Sequence, residues 1–178
     1  MRWVVFLRAV NVGANLCRPA DLARKLSKFE VINIGAAGTF VVREDVSEST
    51  LRQAFAVQLA RDFGLKSEIM ICSAKQILDL ARKDPFAPQP GGTEITRFVS
   101  VLAKRPRTLP TVPYSLPSDE DWLFKIIDIQ NRFVLGLYRR QMKAISYLGK
   151  IEKLLGVAAT TRNWNTIEKV ITILESGR

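Results

Sequence analysis

The stretch Glu30–Arg43, EVINIGAAGTFVVR, decides the fold. Residues 30–34 and 39–43 are rich in β-branched and other apolar side chains, and Gly35-Ala36-Ala37-Gly38 lies between them. That pattern predicts two short strands joined as a hairpin. Upstream, the apolar run Trp3-Val4-Val5-Phe6-Leu7 predicts a buried strand. Between that strand and the hairpin, Pro19 suits the first turn of a helix, and Leu22, Leu26 and Phe29 give the helix one apolar side. Downstream, Thr50 and Gln53 have the spacing of a capping box, Leu51, Phe55, Leu59 and Phe63 recur every four residues, and Gly64 reads as the stop. Residues 67–72 predict one more strand. The resulting order, β-α-β-β-α-β, is that of a ferredoxin-like unit.

Further along, Ser73 with Gln76 caps a helix that ends before Pro85. Residues 97–103 predict a strand. Residues 105–119 hold Pro106, Pro110, Pro113 and Pro117 and read as an irregular loop. Residues 122–128 and 132–138 pair as a hairpin around Gln130-Asn131. Residues 143–155 predict one helix stopped by Gly156. A last helix begins near Asn165, which has capping-box spacing to Glu168, with Ile167, Val170, Ile171 and Leu174 on its apolar face. The expectation is an α+β chain: a ferredoxin-like βαββαβ subdomain over residues 1–90 and a second, smaller α+β subdomain over 91–178.

Composition narrows the chemistry. With 178 residues, 47% apolar and 25% charged, the chain is sized for one compact domain or two small subdomains. It contains no histidine, so triads that need an imidazole are excluded within one chain. The two cysteines, Cys17 and Cys72, match no zinc spacing. Cys72 ends an apolar run and reads as core, whereas Cys17 lies in a loop where a thiol could react. Neither a metal nor a cofactor is expected. The apolar run at the N-terminus is five residues long and closed by Arg8, too short for a signal-peptide core. No stretch approaches the roughly 20 apolar residues that span a bilayer. A cytoplasmic protein without a membrane partner is expected.

The charge balance is unusual. Lys and Arg number 27 against 17 Asp and Glu, a net charge of +10. A field of that sign attracts nucleic acid or small anionic ligands, although the same charge also serves solubility.

Three clusters are candidate sites. Strand direction places the β1–α1 loop and the β2–β3 hairpin at one end of the sheet. There Arg8, Asn11, Gly13, Asn15 and Arg18, with Gly35, Gly38 and Thr39, combine backbone N–H groups, a helix start and arginines, the ingredients of an anion site. The glycines could equally serve turns alone. NVGAN lacks the P-loop pattern and its lysine. The second cluster, Thr160, Arg162, Asn163, Trp164, Asn165 and Thr166, could clamp a ligand, or cap a helix and plug the core. The third, Arg139, Arg140, Lys143, Lys150 and Lys153 with Tyr138 and Tyr147, could grip a phosphate backbone while the tyrosines stack on bases, or form a solvated helix face. The aromatic signature of RNA-binding sheets is absent. The acidic run Asp119-Glu120-Asp121 lies in a proline-flanked loop, without the tuned pair that acid–base catalysis needs.

Several stretches resemble one family. Leu7-Arg8-Ala9-Val10-Asn11-Val12-Gly13-Ala14 is similar to LRGINVGG, Ala37-Gly38-Thr39 stands where an SGN hairpin is usual, and Asp84-Pro85-Phe86 resembles NPF. Residues 155–170, LGVAATTRNWNTIEKV, are similar to LGVxATxRNWxTVxKL. Together these resemble the bacterial domain of unknown function 1697 family across nearly the whole chain. The resemblance implies an α+β fold of two subdomains and implies no activity. Ala9, Ala14, Ala37 and Thr39 depart from the family pattern. The leading expectation is a non-catalytic binding protein for an anionic partner, nucleic acid or a phosphorylated metabolite. The rivals are an enzyme acting on a small anion with Arg8 and Arg162 as clamps, and a structural or interaction module.

Overall fold

The computed structural model describes residues 2–8 and 17–176. The chain divides into two compact units, Met1–Lys83 with Asn165–Arg178, and Asp84–Trp164. The last helix therefore groups with the first unit, where residues 91–178 had been expected to form one subdomain.

The first unit carries β1 (Trp3–Leu7), α1 (Pro19–Lys25), β2 (Val31–Asn33), β3 (Thr39–Val42), α2 (Glu48–Phe63), β4 (Ile69–Ser73) and α3 (Ala74–Arg82). Its sheet order is β2-β3-β1-β4 with every neighbouring pair antiparallel, the ferredoxin-like arrangement. Alternation sends Val5, Leu7, Phe40, Val42, Ile69 and Ile71 into a core with Leu22 and Leu26 from α1 and its end and Phe55 and Leu59 of α2. The intervening Val4, Phe6, Val41, Met70 and Cys72 are buried as well. Burial on both faces explains why β1 reads as an unbroken apolar run.

The ends of the helices follow local chemistry. Gly64 closes α2 in the left-handed region at φ 61°. The cap at the other end is Ser47, whose Oγ accepts the Thr50 N–H at 3.1 Å. The helix thus starts three residues before the expected Thr50 box. At α3 the expected box forms: Gln76 N–H donates to Ser73 Oγ at 3.3 Å, and Ser73 N–H donates to Gln76 Oε1 at 2.9 Å. Ser73→Ala should cost about 1 kcal/mol, read as a lower urea midpoint at unchanged slope.

The second unit carries β5 (Ile95–Leu102), β6 (Tyr114–Leu116), β7 (Phe124–Gln130), β8 (Phe133–Arg139), α4 (Met142–Leu148), α5 (Lys150–Leu155) and β9 (Ala159–Asn163). Its antiparallel sheet runs β6-β7-β8-β5-β9. Phe98, Phe124, Ile126 and Val134 form a core with Tyr147, Ile151 and Leu155 from α4 and α5. The single helix expected over 143–155 is two, meeting at Gly149, a poor helix residue. Residues 159–163, to which the sequence reading assigns no element, are an edge strand on β5. The last helix, α6 (Trp164–Ser176), begins one residue before Asn165, which therefore lies inside its first turn rather than capping it. Arg2 Nη1 donates to the Leu174 carbonyl at 2.6 Å and ties α6 to the start of β1. Among the described residues no helix is long and apolar enough to cross a membrane.

Candidate functional site

At the end of β1, Leu7 N–H donates to the Gly38 carbonyl at 2.8 Å, which brings the hairpin to the start of the β1–α1 loop. Gly35 and Gly38 have φ of 72° and 73°, so the turn itself demands glycine. Thr39 is fully buried and pairs with Phe6. Arg8 is exposed, with its N–H on the Glu68 carbonyl and its carbonyl accepting Ser67 Oγ. Arg18 is exposed at the start of α1. Asn11, Gly13 and Asn15 lie outside the described residues. Cys17 is buried, not loop-exposed. Burial, with the nearby Asp21 carboxylate second, pushes its thiol up from the ordinary value, so it lacks the thiolate a reactive cysteine needs.

The second cluster belongs to β9 and the start of α6. Arg162 is 6% exposed, and its Nη1 donates to Thr160 Oγ1 at 2.7 Å and to the Thr161 carbonyl at 2.8 Å. Burial lowers its guanidinium to about 10, so it remains charged at neutral pH. Trp164 is buried edge-on against Phe86, with ring centroids 5.0 Å apart. On the opposite face of β9, Thr161 shares a hydrogen bond with Ser100, and exposed Asn163 accepts from Tyr138 Oη at 3.4 Å. Arg162 is therefore internal to the fold. Arg162→Glu should bury a carboxylate and lower stability by about 3 kcal/mol or more, measured by denaturant unfolding. A charge reversal there cannot be expected to leave the fold intact.

Arg139 and Arg140 of the third cluster lie at one end of the second sheet, and Lys143, Lys150 and Lys153 follow on α4 and α5. Arg139 closes β8, and its Nε donates to the Trp122 carbonyl at 2.9 Å. Its guanidinium lies 4.7 Å from the Trp122 ring centre, and Lys125 Nζ lies 5.0 Å from the same ring. The half-buried indole thus holds two cations in place. Arg140 is exposed and donates from Nε to Thr96 Oγ1 at 3.2 Å. Lys143, Lys150 and Lys153 are exposed along α4 and α5. The tyrosines play a different part from the one expected. Tyr147 is buried near Phe124, and Tyr138 packs against Phe98. The Tyr147 ring is thus in the core, with Lys150 Nζ 4.7 Å from its centre, whereas the Tyr138 ring is half-buried against the core.

Pairing separates the two units electrically. In the first, Arg24 pairs with Asp21, Lys25 and Arg61 with Asp62, Arg52 with Glu48, and Lys75 and Arg82 with Asp79. In the second, residues 84–164 hold 12 Lys and Arg against 7 Asp and Glu, and none of the latter falls between residues 129 and 151. Among the described residues Arg139, Arg140, Lys143, Lys150 and Lys153 form no ion pair with a carboxylate. Sequence reading missed Trp122 and Lys125, because their link to Arg139 runs across the β7–β8 ladder.

The family described as protein of unknown function (DUF1697) matches residues 1–120. Among solved structures, the chain is similar to the conserved bacterial protein SP0830 from Streptococcus pneumoniae, at 15% identity over 98% of each chain, with a TM-score of 0.64. That likeness shows the fold alone. A search of the curated proteins finds no significant match.

Proposed function

Since the chain belongs to the DUF1697 family, whose description assigns no activity, we propose from the site itself that it binds nucleic acid by its phosphate backbone. The surface is Arg139, Arg140 and Lys143, extended by Lys125 and Lys150. The observation that carries this reading is the set of exposed cations without carboxylate partners, two others of the set being pinned on the Trp122 ring. Cations not neutralised by the protein are the ones that displace counterions from a phosphate chain. A cation already held on an aromatic face loses less freedom when a phosphate arrives. With Tyr147 buried and Tyr138 half-buried against the core, binding is backbone-directed and independent of sequence.

The test is a titration of a labelled single strand of about 12 nucleotides at several salt concentrations. The reading predicts binding that persists at about 150 mM salt, with log K falling linearly in log salt and a slope corresponding to about three to five phosphate contacts. Binding seen only at very low salt, or confined to one strand sequence, contradicts it.

A further inference from the structure

A second basic feature lies at the other end of the same sheet. A cavity of about 430 Å³ is lined by Lys104, Arg105, Arg107 and Thr108 on one side and by the turn Leu155-Gly156-Val157 on the other. The loop that supplies the cations is anchored on both sides of its root. Leu102 N–H donates to the Arg132 carbonyl and Ala103 N–H to the Ala158 carbonyl, each at 2.9 Å. Pro106 is buried between exposed Arg105 and exposed Arg107, so the loop is pinned at its middle while its charges face solvent. Among the described residues none of Lys104, Arg105 and Arg107 forms an ion pair or a side-chain hydrogen bond. A cavity of the first unit is unlike it, since its lining residues Asp21, Arg24, Lys25 and Asp62 already neutralise one another.

The rest of the lining fits a small ligand. Gly156 ends α5 at φ 63°, and apart from its chain neighbours no atom lies within 4 Å of where a Cβ would stand. Leu155 and Val157, both largely buried, complete the lining beside it. The carbonyl end of six-residue α5 carries at most about half a negative charge, far less than the three cations opposite. The volume lies within the roughly 300–1,000 Å³ of small-molecule sites.

We propose that this cavity is a binding site for the pyrophosphate group of a small molecule. Three side-chain cations match a group carrying about three negative charges, and the two arginines can each clasp two of its oxygens. The site goes beyond the nucleic-acid surface and lies apart from its Arg139, Arg140 and Lys143, while Lys150 is nearer, about 9 Å from Gly156 along α5. Ile95 pairs with Arg139 at one end of β5, and Leu102 leads to Lys104 at the other, about 23 Å away along the strand.

Inorganic pyrophosphate is the probe, titrated by calorimetry at about 150 mM salt into the full chain, with inorganic phosphate in parallel. The expected result is one-to-one binding of pyrophosphate, at least tenfold tighter than phosphate, and at least tenfold weaker in Arg105→Glu/Arg107→Glu. Both positions are exposed and unpaired, so this variant keeps its fold, checked by its unfolding midpoint. Arg43→Glu/Lys66→Glu makes the same charge change on the first unit and leaves pyrophosphate binding unaltered. No binding by the wild type overturns the proposal, as does equal weakening in both doubles, which marks a diffuse field and no site. Oligonucleotide binding by the same proteins is read separately, so loss of this proposal leaves the nucleic-acid reading standing, and the reverse.

Discussion

Gly136→Ala is expected to lower stability by about 3 kcal/mol, the upper end of what overpacking a core usually costs. Gly136 faces Phe98 on one neighbouring strand and Ile126 on the other. A Cβ placed there would lie 2.3 Å from Phe98 Cζ, 2.6 Å from Cε1 and 2.5 Å from the Lys125 carbonyl oxygen. The ring could turn aside. The carbonyl could move only by loosening the β7–β8 ladder, the central hairpin of the second sheet. The glycine is therefore the hollow that accepts the Phe98 ring, a use of glycine known from strands covered by a neighbouring aromatic. Equilibrium urea unfolding reads the effect. Adding Phe98→Leu to Gly136→Ala should recover only part of the loss that the clash imposes, because the backbone contact persists. A loss below about 1 kcal/mol for Gly136→Ala would show that the strands give way easily.

The second large effect concerns binding. Arg140→Glu/Lys143→Glu should weaken oligonucleotide binding by about a hundredfold at about 50 mM salt and reduce the salt slope by one to two contacts. Both residues are exposed, and only Arg140 gives up a side-chain hydrogen bond, to Thr96. The unfolding midpoint should therefore change little. The matched Arg43→Glu/Lys66→Glu protein has the same net charge and separates local contact from overall attraction. If the two doubles weaken binding equally, the basic surface is not a site.

The sequence showed the first unit well because its signals are local. GAAG between two β-branched runs, the WVVFL strand and the Ser73–Gln76 box each specify their element within a few residues. The start of α2 was misplaced because Ser47 and Thr50 are both good caps, and only the fold decides between them. The strand Ala159–Asn163 was missed because its polar threonines and Arg162 lack apolar alternation, and it exists through its pairing with β5. The split at Gly149 follows from one poor helix residue between two short apolar faces.

The candidate sites were less legible, since charge in a sequence does not say which cations are exposed. Arg162 and Arg140 look alike in the chain, yet one is buried and the other faces solvent. Tyr147 falls among lysines at helical spacing but turns inward to Phe124. The indole that holds Lys125 and Arg139 depends on strand register, which brings residues 17 apart in sequence together. The basic loop at residues 104–107 was passed over as part of a proline-rich excursion, because a cavity is made by the turn opposite it, about 50 residues later in the chain.

The central claim is that the second unit carries the nucleic-acid surface. Amide hydrogen exchange, compared between the free protein and the protein saturated with a single strand of about 12 nucleotides at about 150 mM salt, tests it most directly. The account predicts slowed exchange at Trp122–Lys125 and from Arg139 through Lys150, with no change on α1 and α2. Protection confined to the first unit, or no protection at saturation, would contradict it.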